Sequence, residues 1–315
     1  MTYSLNSLYQ SQGVSKQAVH QSYKRQQLFD MELQELVIEA DTIREEHPGC
    51  GVEKLYLTLQ PKLMGRDKFC EIFMDLGYRV RRIKNYTRTT YPTWFHYPNL
   101  IEGMVVTRPY QVVQSDITYF DVAGKFYYLV FIIDVYTREV LGYNVGSNMR
   151  AECNVKALKM ALKKIPKESL KTMIHHSDRG AQYGSHLYLN LLKAKGIQVS
   201  MGMYAQDNAY AERINGTIKN EYLKLWYIPD YDTLKSKTKK AVNHYNSKRL
   251  HLGFNNEYSP LQFKKELVHL TAQKRPKVNI YTEGNNKIEV ASSHLNFSPD
   301  KELQAHNCPI VINSK

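Results

Sequence analysis

Cysteine is scarce in this chain of 315 residues: there are four (Cys50, Cys70, Cys153, Cys308), with no Cys-x-x-Cys pair among them. A disulfide framework and a zinc-finger ligand set are both excluded, and a reducing, cytoplasmic setting is expected. His47 lies near Cys50, but no second close pair completes a tetrahedral site. Long apolar runs are also lacking. None approaches the roughly 18 residues of a membrane-spanning helix, and the opening "MTYSLNSLYQSQ" has no apolar signal-peptide core. No internal repeat or low-complexity tract occurs. Acidic residues are outnumbered, 30 Asp and Glu against 43 Lys and Arg, for a formal net charge of +13. The basic residues cluster: "RVRRIKNYTR" (residues 79–88) holds five and "KSKTKK" (residues 235–240) four, with no acid in either. A polyanionic partner follows, nucleic acid first among them.

Hydrophobic residues make up 43% of the chain, enough for a real core, and the length suggests more than one domain. In residues 1–30, Gly13 supplies a turn and Ser15 an N-cap for a basic helix through Gln27, which is helix-turn-helix grammar. Residues 31–90 read as a helical DNA-binding domain. Leu33, Leu36, Val37, Ala40 and Ile43 share one helix face, and His47-Pro48-Gly49 stops that helix. A short helix spans about Val52 to Leu59. Phe69, Ile72, Phe73 and Leu76 mark a third, which ends at Gly77. A small helical dimerisation module fits the same pattern. Residues 91–108 contain Pro92 and Pro98 without helical period and read as a linker.

From Tyr110 the pattern changes to strands. "QVVQSDITYFDV", "KFYYLVFIIDVY" and "EVLGYNVG" are separated by two close turns, which makes an antiparallel meander. A helix at about Ala151 to Lys164, a strand at "KTMIHHS", a helix ended by Gly196, a strand at "IQVSM" and a long helix from "QDNAYAERI" follow. The order βββαβαβα over residues 109–226 is that of an α/β, RNase H-like core with a mixed five-stranded sheet and helices on both faces. Residues 227–268 read as a helical extension of the core. Residues 269–315 form a tail that could turn a hairpin at Gly284-Asn285.

Three carboxylates stand out by position. Asp116 is midway along the first strand, Asp178 just past the fourth and Glu212 in the first turns of the long helix. Strands one and four are neighbours in this topology, so the two aspartates fall side by side. An unpaired carboxylate in a central strand loses its hydration and needs positive compensation. A hard divalent cation such as Mg²⁺ supplies it, and two ions are expected, with Mn²⁺ able to substitute. At about 100° per residue, Asn208, Gly216 and Lys219 lie within roughly 40° of Glu212, whereas Asp207 and Glu221 point elsewhere. Asp207 is better placed as an N-cap, and Gly216 leaves room for a phosphate backbone. Asp121 lies on the opposite sheet face from Asp116. His175 and His176 fit packed imidazoles as well as they fit the site, and Arg249 and His251 fit packing against the core.

"QSDITY", "HSDRGAQY" and "DNAYAERINGTIKNE" resemble the three catalytic blocks of bacterial insertion-sequence transposases of the IS-three family, in the retroviral-integrase superfamily. "IIDVYTREVLGY", "YNSKRLHLGFNNEYSPLQF" and "GVSKQAVHQSYKR" also resemble that family, so the likeness covers about residues 10 to 265. It implies a DDE triad of Asp116, Asp178 and Glu212 that binds metal, and a basic residue seven positions after the Glu, Lys219, that touches the element's end. It implies cleavage of DNA at terminal repeats and strand transfer to target DNA by a homo-oligomer. Asn208, Arg213, Arg179 and Gln182, with the basic-exit residues Arg79, Arg81, Arg82 and Lys84, are the other candidate DNA contacts. Between Asp178 and Glu212 stand 33 residues, two fewer than is usual in the family. A leucine-zipper partner region is absent from the chain. An RNase H-like nuclease or resolvase, or an inactive DNA-binding regulator, are the alternatives.

Overall fold

The computed structural model describes residue 9 and residues 11–80, 97–203 and 205–280. Arg81, Arg82, Lys84 and the expected hairpin at Gly284-Asn285 lie outside the described residues, as do residues 1–8 and 10 of the expected helix-turn-helix segment.

Ser15 caps helix α1 (Lys16–Glu46), its hydroxyl accepting the Ala18 amide at 3.1 Å. Gly13 makes the preceding turn at φ +66. The helix does not end near Gln27. It runs on unbroken for 31 residues, because neither Gly nor Pro occurs between Ser15 and His47 to stop it. The division expected at residue 30 therefore falls inside one helix. The C-terminal half of α1 packs on α2 (Val52–Leu59) and α3 (Arg66–Asp75) around Ala40, Leu55, Phe69 and Phe73. Gly77 ends the third helix at φ +89, and the Phe69 and Phe73 rings stack at 4.0 Å. These three helices are the helical unit.

The linker is partly structured. Its β1 (Val105–Val106) pairs antiparallel with β7 (Val278–Asn279), and Ile101 and Val106 are fully buried. The main sheet consists of β2 (Val112–Val122), β3 (Lys125–Asp134), β4 (Val140–Gly146), β5 (Ile174–Ser177) and β6 (Gln198–Met201), in the order β4-β3-β2-β5-β6. β2, β3 and β4 form the antiparallel meander, and β5 and β6 add parallel to β2. Helices α4 (Ala151–Leu162) and α6 (His186–Ala194) cover one face over Val113, Ile117, Val130 and Ile132. A short helix, α5 (Lys167–Leu170), precedes β5. Helices α7 (Ala209–Glu221) and α8 (Tyr231–Ser247) cover the other face, over Leu129, Phe131 and Ile133. Leu234, Ala241 and Tyr245 belong to that same apolar cluster, so α8 is part of the core that the sheet builds. Helix α9 (Pro260–Glu266) closes one end on Tyr136 and Phe254. This strand order with helices on both faces is an α/β, RNase H-like architecture.

The long helix expected from Gln206 is shorter than its sequence pattern. A 3-10 turn (Ala205–Asn208) leads into α7 and another (Leu223–Leu225) follows it.

Candidate active site

The site lies where the central strand loses a neighbour. β2 and β5 pair in parallel only as far as Ser115 opposite Ser177. Asp116 is the next residue on one strand and Asp178 the next on the other. Both carboxylates therefore sit at a notch in the sheet, with β2 continuing past it to Val122. Asp178 shapes its own turn, accepting the Gly180 amide at 3.1 Å.

Helix α7 lies along β2 in matched steps. Three successive even-numbered residues of β2, Gln114, Asp116 and Thr118, point to α7, and each side chain is bonded to the helix. Gln114 Oε1 accepts the Tyr210 and Ala211 amides at 3.1 and 3.2 Å, satisfying the open N-terminus of α7. Asp116 Oδ2 accepts the Asn215 amide nitrogen at 2.7 Å, and Thr118 Oγ1 accepts from Lys219 Nζ at 2.9 Å. Two strand residues advance about 6.7 Å and four helix residues about 6 Å, so a strand period of two meets a helix period of four without strain. That ladder fixes the height and rotation of α7, and with it Glu212 at the helix's solvent-facing edge.

The three acids feel one another. Asp116 is pushed well above the usual carboxylate range, by desolvation first and then by Asp178, with Glu212 adding to it; the Ile117 amide and Asn215 oppose the shift. Glu212 is also raised, by desolvation and by Asp178. As they stand, no three His, Cys, Asp or Glu side chains among the described residues are gathered closely enough to ligate a metal. The donor set nevertheless suits one: it is oxygen-only, and its crowded charge is what a hard divalent cation relieves.

The other sequence candidates are sorted by burial. Arg213 and Arg79 are exposed. Arg179 and Gln182 are half-buried in the turn beside Asp178. Asn208 is only 2% exposed and donates to the Ser115 carbonyl at 3.0 Å, so its side chain braces the strand before Asp116. The expectation that it shares the open face of Glu212 fails because Asn208 stands just before α7 with non-helical dihedrals, φ -112 and ψ 25, and its side chain turns inward to Ser115. Asp207 does not cap α7. Its Oδ2 accepts the Met203 amide at 2.8 Å and closes the loop instead. Lys219 is half-buried; its long stem turns the ammonium back to Thr118 and over the Tyr119 ring at 4.9 Å, and burial lowers its pKa. His175 and His176 are packed, bonded at 2.8 Å to the Tyr188 hydroxyl and to Ser200 Oγ. Arg249 and His251 are buried in the core.

Sequence reasoning missed Gln114 and Asn215, which a polar stripe at alternate positions of an otherwise apolar strand could have signalled. It also missed the joint at the far end of α7. Glu221 accepts both Arg249 Nε (2.7 Å) and Nη2 (2.6 Å) and pairs with His47 Nε2 at 2.8 Å. The Glu221 carbonyl accepts the Gly49 amide at 2.8 Å. A Cβ at Gly49 would lie 2.5 Å from Glu221 Cα, so only glycine permits this approach.

Fold and site together define an RNase H-like core with three acids at a sheet notch. Two models of the integrase core domain match this chain, at residues 106–205 and 196–257. The insertion element IS600 31 kDa protein of Shigella sonnei is 32% identical over 218 residues, 67% of this chain and 78% of that protein. The IS629 transposase of Shigella sonnei is 35% identical over 149 residues, covering 46% and 49% of the two chains. The IS904 transposase of Lactococcus lactis is 31% identical, covering 53% and 67%. Among solved structures, the HTLV-2 integrase catalytic core domain in its dimeric form covers 49% of this chain at 20% identity and a TM-score of 0.38; that likeness is too slight to carry the fold, which rests on strand order. The chain belongs to the insertion-sequence transposases of the retroviral-integrase superfamily, enzymes of phosphoryl transfer that act in DNA transposition. Among the described residues no helix is long and apolar enough to cross a membrane.

Proposed function

We propose that this transposase cleaves DNA at the terminal repeats of its element and joins the freed 3′ end to target DNA, with Asp116, Asp178 and Glu212 as the catalytic carboxylates. The observation that supports the assignment is that Asp116 and Asp178 follow the last paired residues of β2 and β5, and that Asp116 and Glu212 are both raised by burial and by Asp178. The three acids would hold Mg²⁺, or Mn²⁺ in its place, and such a pair of ions would supply activation of the attacking oxygen and stabilisation of the leaving one. The chain's own residues position. Asn215 and the Ile117 amide orient the two oxygens of Asp116. Gln114 and Asn208 hold α7 and β2 in register behind it. Arg213, Arg79, Arg179, Gln182 and Lys219 supply contacts to the phosphate backbone, in keeping with a net charge of +13. The helical unit recognises the element's ends, and the protein works as a homo-oligomer on DNA in the bacterial cytoplasm.

Incubating the protein with labelled DNA that carries the element's ends, in Mg²⁺, tests this. Strand-transfer products are expected. Cleaved ends without joined product would indicate an RNase H-like nuclease instead.

A further inference from the structure

An open cleft of about 1180 Å³ separates the helical unit from the outer side of α7. Gly51, Met74 and Arg79 stand on one wall, and Glu212, Arg213 and Gly216 on the other. The joint of Gly49 and His47 on Glu221 fixes one wall against the other at its floor, so the cleft is built into a single chain.

Besides Gly49, two glycines line this space: Gly51, which serves as the N-cap of α2, and Gly216, inside α7, with nothing in the protein to account for it. At Gly51 a Cβ would meet nothing within 4 Å, and at Gly216 only the Asn220 amide nitrogen at 4.0 Å. Neither has a positive φ. Glycine weakens a helix interior relative to alanine, so Gly216 costs α7 stability without easing any internal contact. The other use of glycine is close approach by a foreign backbone.

Size and charge narrow what approaches. Small-molecule pockets fall between about 300 and 1,000 Å³, and the cleft exceeds them. A duplex is wider than its own major groove, and even a cylinder only about 12 Å wide and 34 Å long, one turn, holds roughly three times the cleft's volume. A few nucleotides of one strand fit, and a duplex does not. Arg79 and Arg213 both line the space and can meet phosphates, and Met74, 44% exposed, offers an apolar edge to bases. Of the other acids lining it, Glu221 is neutralised by Arg249, which leaves Glu53.

We propose that this cleft is the bed of one DNA strand, the unpaired segment adjoining the phosphodiester at Glu212. The helical unit thereby walls the active site of its own chain. The proposal rests on the DNA-joining reading above and adds to it where the reacting strand runs.

The wild-type protein is irradiated with a duplex whose single-stranded overhang carries 4-thiothymidine, and the adducts are mapped. Adducts both in residues 51–79 and in residues 209–220 are expected; adducts that spare residues 51–79 overturn the proposal. In parallel, Gly216→Leu should melt at or above the wild type, because leucine suits a helix interior better than glycine, and bind the overhang DNA about tenfold more weakly, the worth of one charge-assisted contact. Blunt duplex should bind as before. Unchanged affinity for the overhang in a variant that melts no lower than the wild type, or an equal loss for blunt duplex, overturns the proposal. If a variant melts lower, the adduct map decides. A wild-type protein that gives the expected adducts yet neither cleaves nor joins element ends would refute the proposed function and leave the cleft assignment intact.

Discussion

Arg249→Met tests the joint that holds the helical unit against α7. Arg249 is 9% exposed and grips Glu221 through both carboxylate oxygens, while Glu221 is 24% exposed and also carries His47. Arg249 and His47 hold the Glu221 carboxyl well below the usual carboxylate range despite its burial. Burial lowers the His47 pKa, so the imidazole is neutral at pH 7 and does not replace the lost cation. Breaking a buried pair from one side costs about 3–5 kcal/mol. Because a quarter of Glu221 reaches water, the low end applies, about 3 kcal/mol. Glu221→Gln combined with Arg249→Met leaves no unpaired charge and should recover most of that loss, to within about 1 kcal/mol of wild type. The pH dependence has a definite sign. A carboxyl whose folded pKa is depressed contributes stability that is present above its unfolded value, near 4.3, and lost as pH falls through the folded pKa. The wild type should thus lose stability in acid through this group, and Arg249→Met should lose much less. Denaturant unfolding at pH 7 and in acid measures all three chains. A loss below about 1 kcal/mol for Arg249→Met, or a double variant as unstable as the single one, would refute the reasoning.

Asp116→Asn, Asp178→Asn and Glu212→Gln should each abolish cleavage and joining while DNA binding in a gel-shift assay is retained; turnover by any of them removes that residue from the triad. Mg²⁺ should raise the melting temperature of the wild type but not of Asp116→Asn, in which the crowded charge is relieved without metal; an equal rise in both contradicts metal binding at Asp116. Lys219→Ala should lower the salt dependence of end binding by about one unit of slope for a lost phosphate contact, and identical slopes would show that its bond to Thr118 is its whole role. Asn208→Ala should cost roughly 1 kcal/mol of stability through the lost bond to the Ser115 carbonyl and reduce joining, with the salt slope unchanged; an altered slope would place Asn208 at the DNA after all.

The sequence by itself determined the meander, the αβα that follows it and the chain positions of the three acids. Those features come from local physics: alternation in "QVVQSDITYFDV", helical spacing in residues 151–164, the glycine at 196 that stops α6. Even the adjacency of Asp116 and Asp178 was legible, because strand order alone makes their strands neighbours. Local pattern went wrong where nothing local decides. No residue between Ser15 and His47 marks where one helix would give way to another, so the change in composition near Gln27 suggested an end that the backbone does not have. A helical wheel misplaces Asn208, because that residue precedes α7 with non-helical dihedrals and its side chain turns inward to the strand. Tertiary structure alone decided the matched ladder of Gln114, Asp116 and Thr118 on α7, since its partners lie about a hundred residues apart and depend on the register of a helix against a strand. It also decided that Glu221, on its own helix merely a solvated acid, is the hub joining the helical unit to the core. His47 lies 174 residues from it and Arg249 lies 28, and no periodicity connects positions that meet only when two units pack.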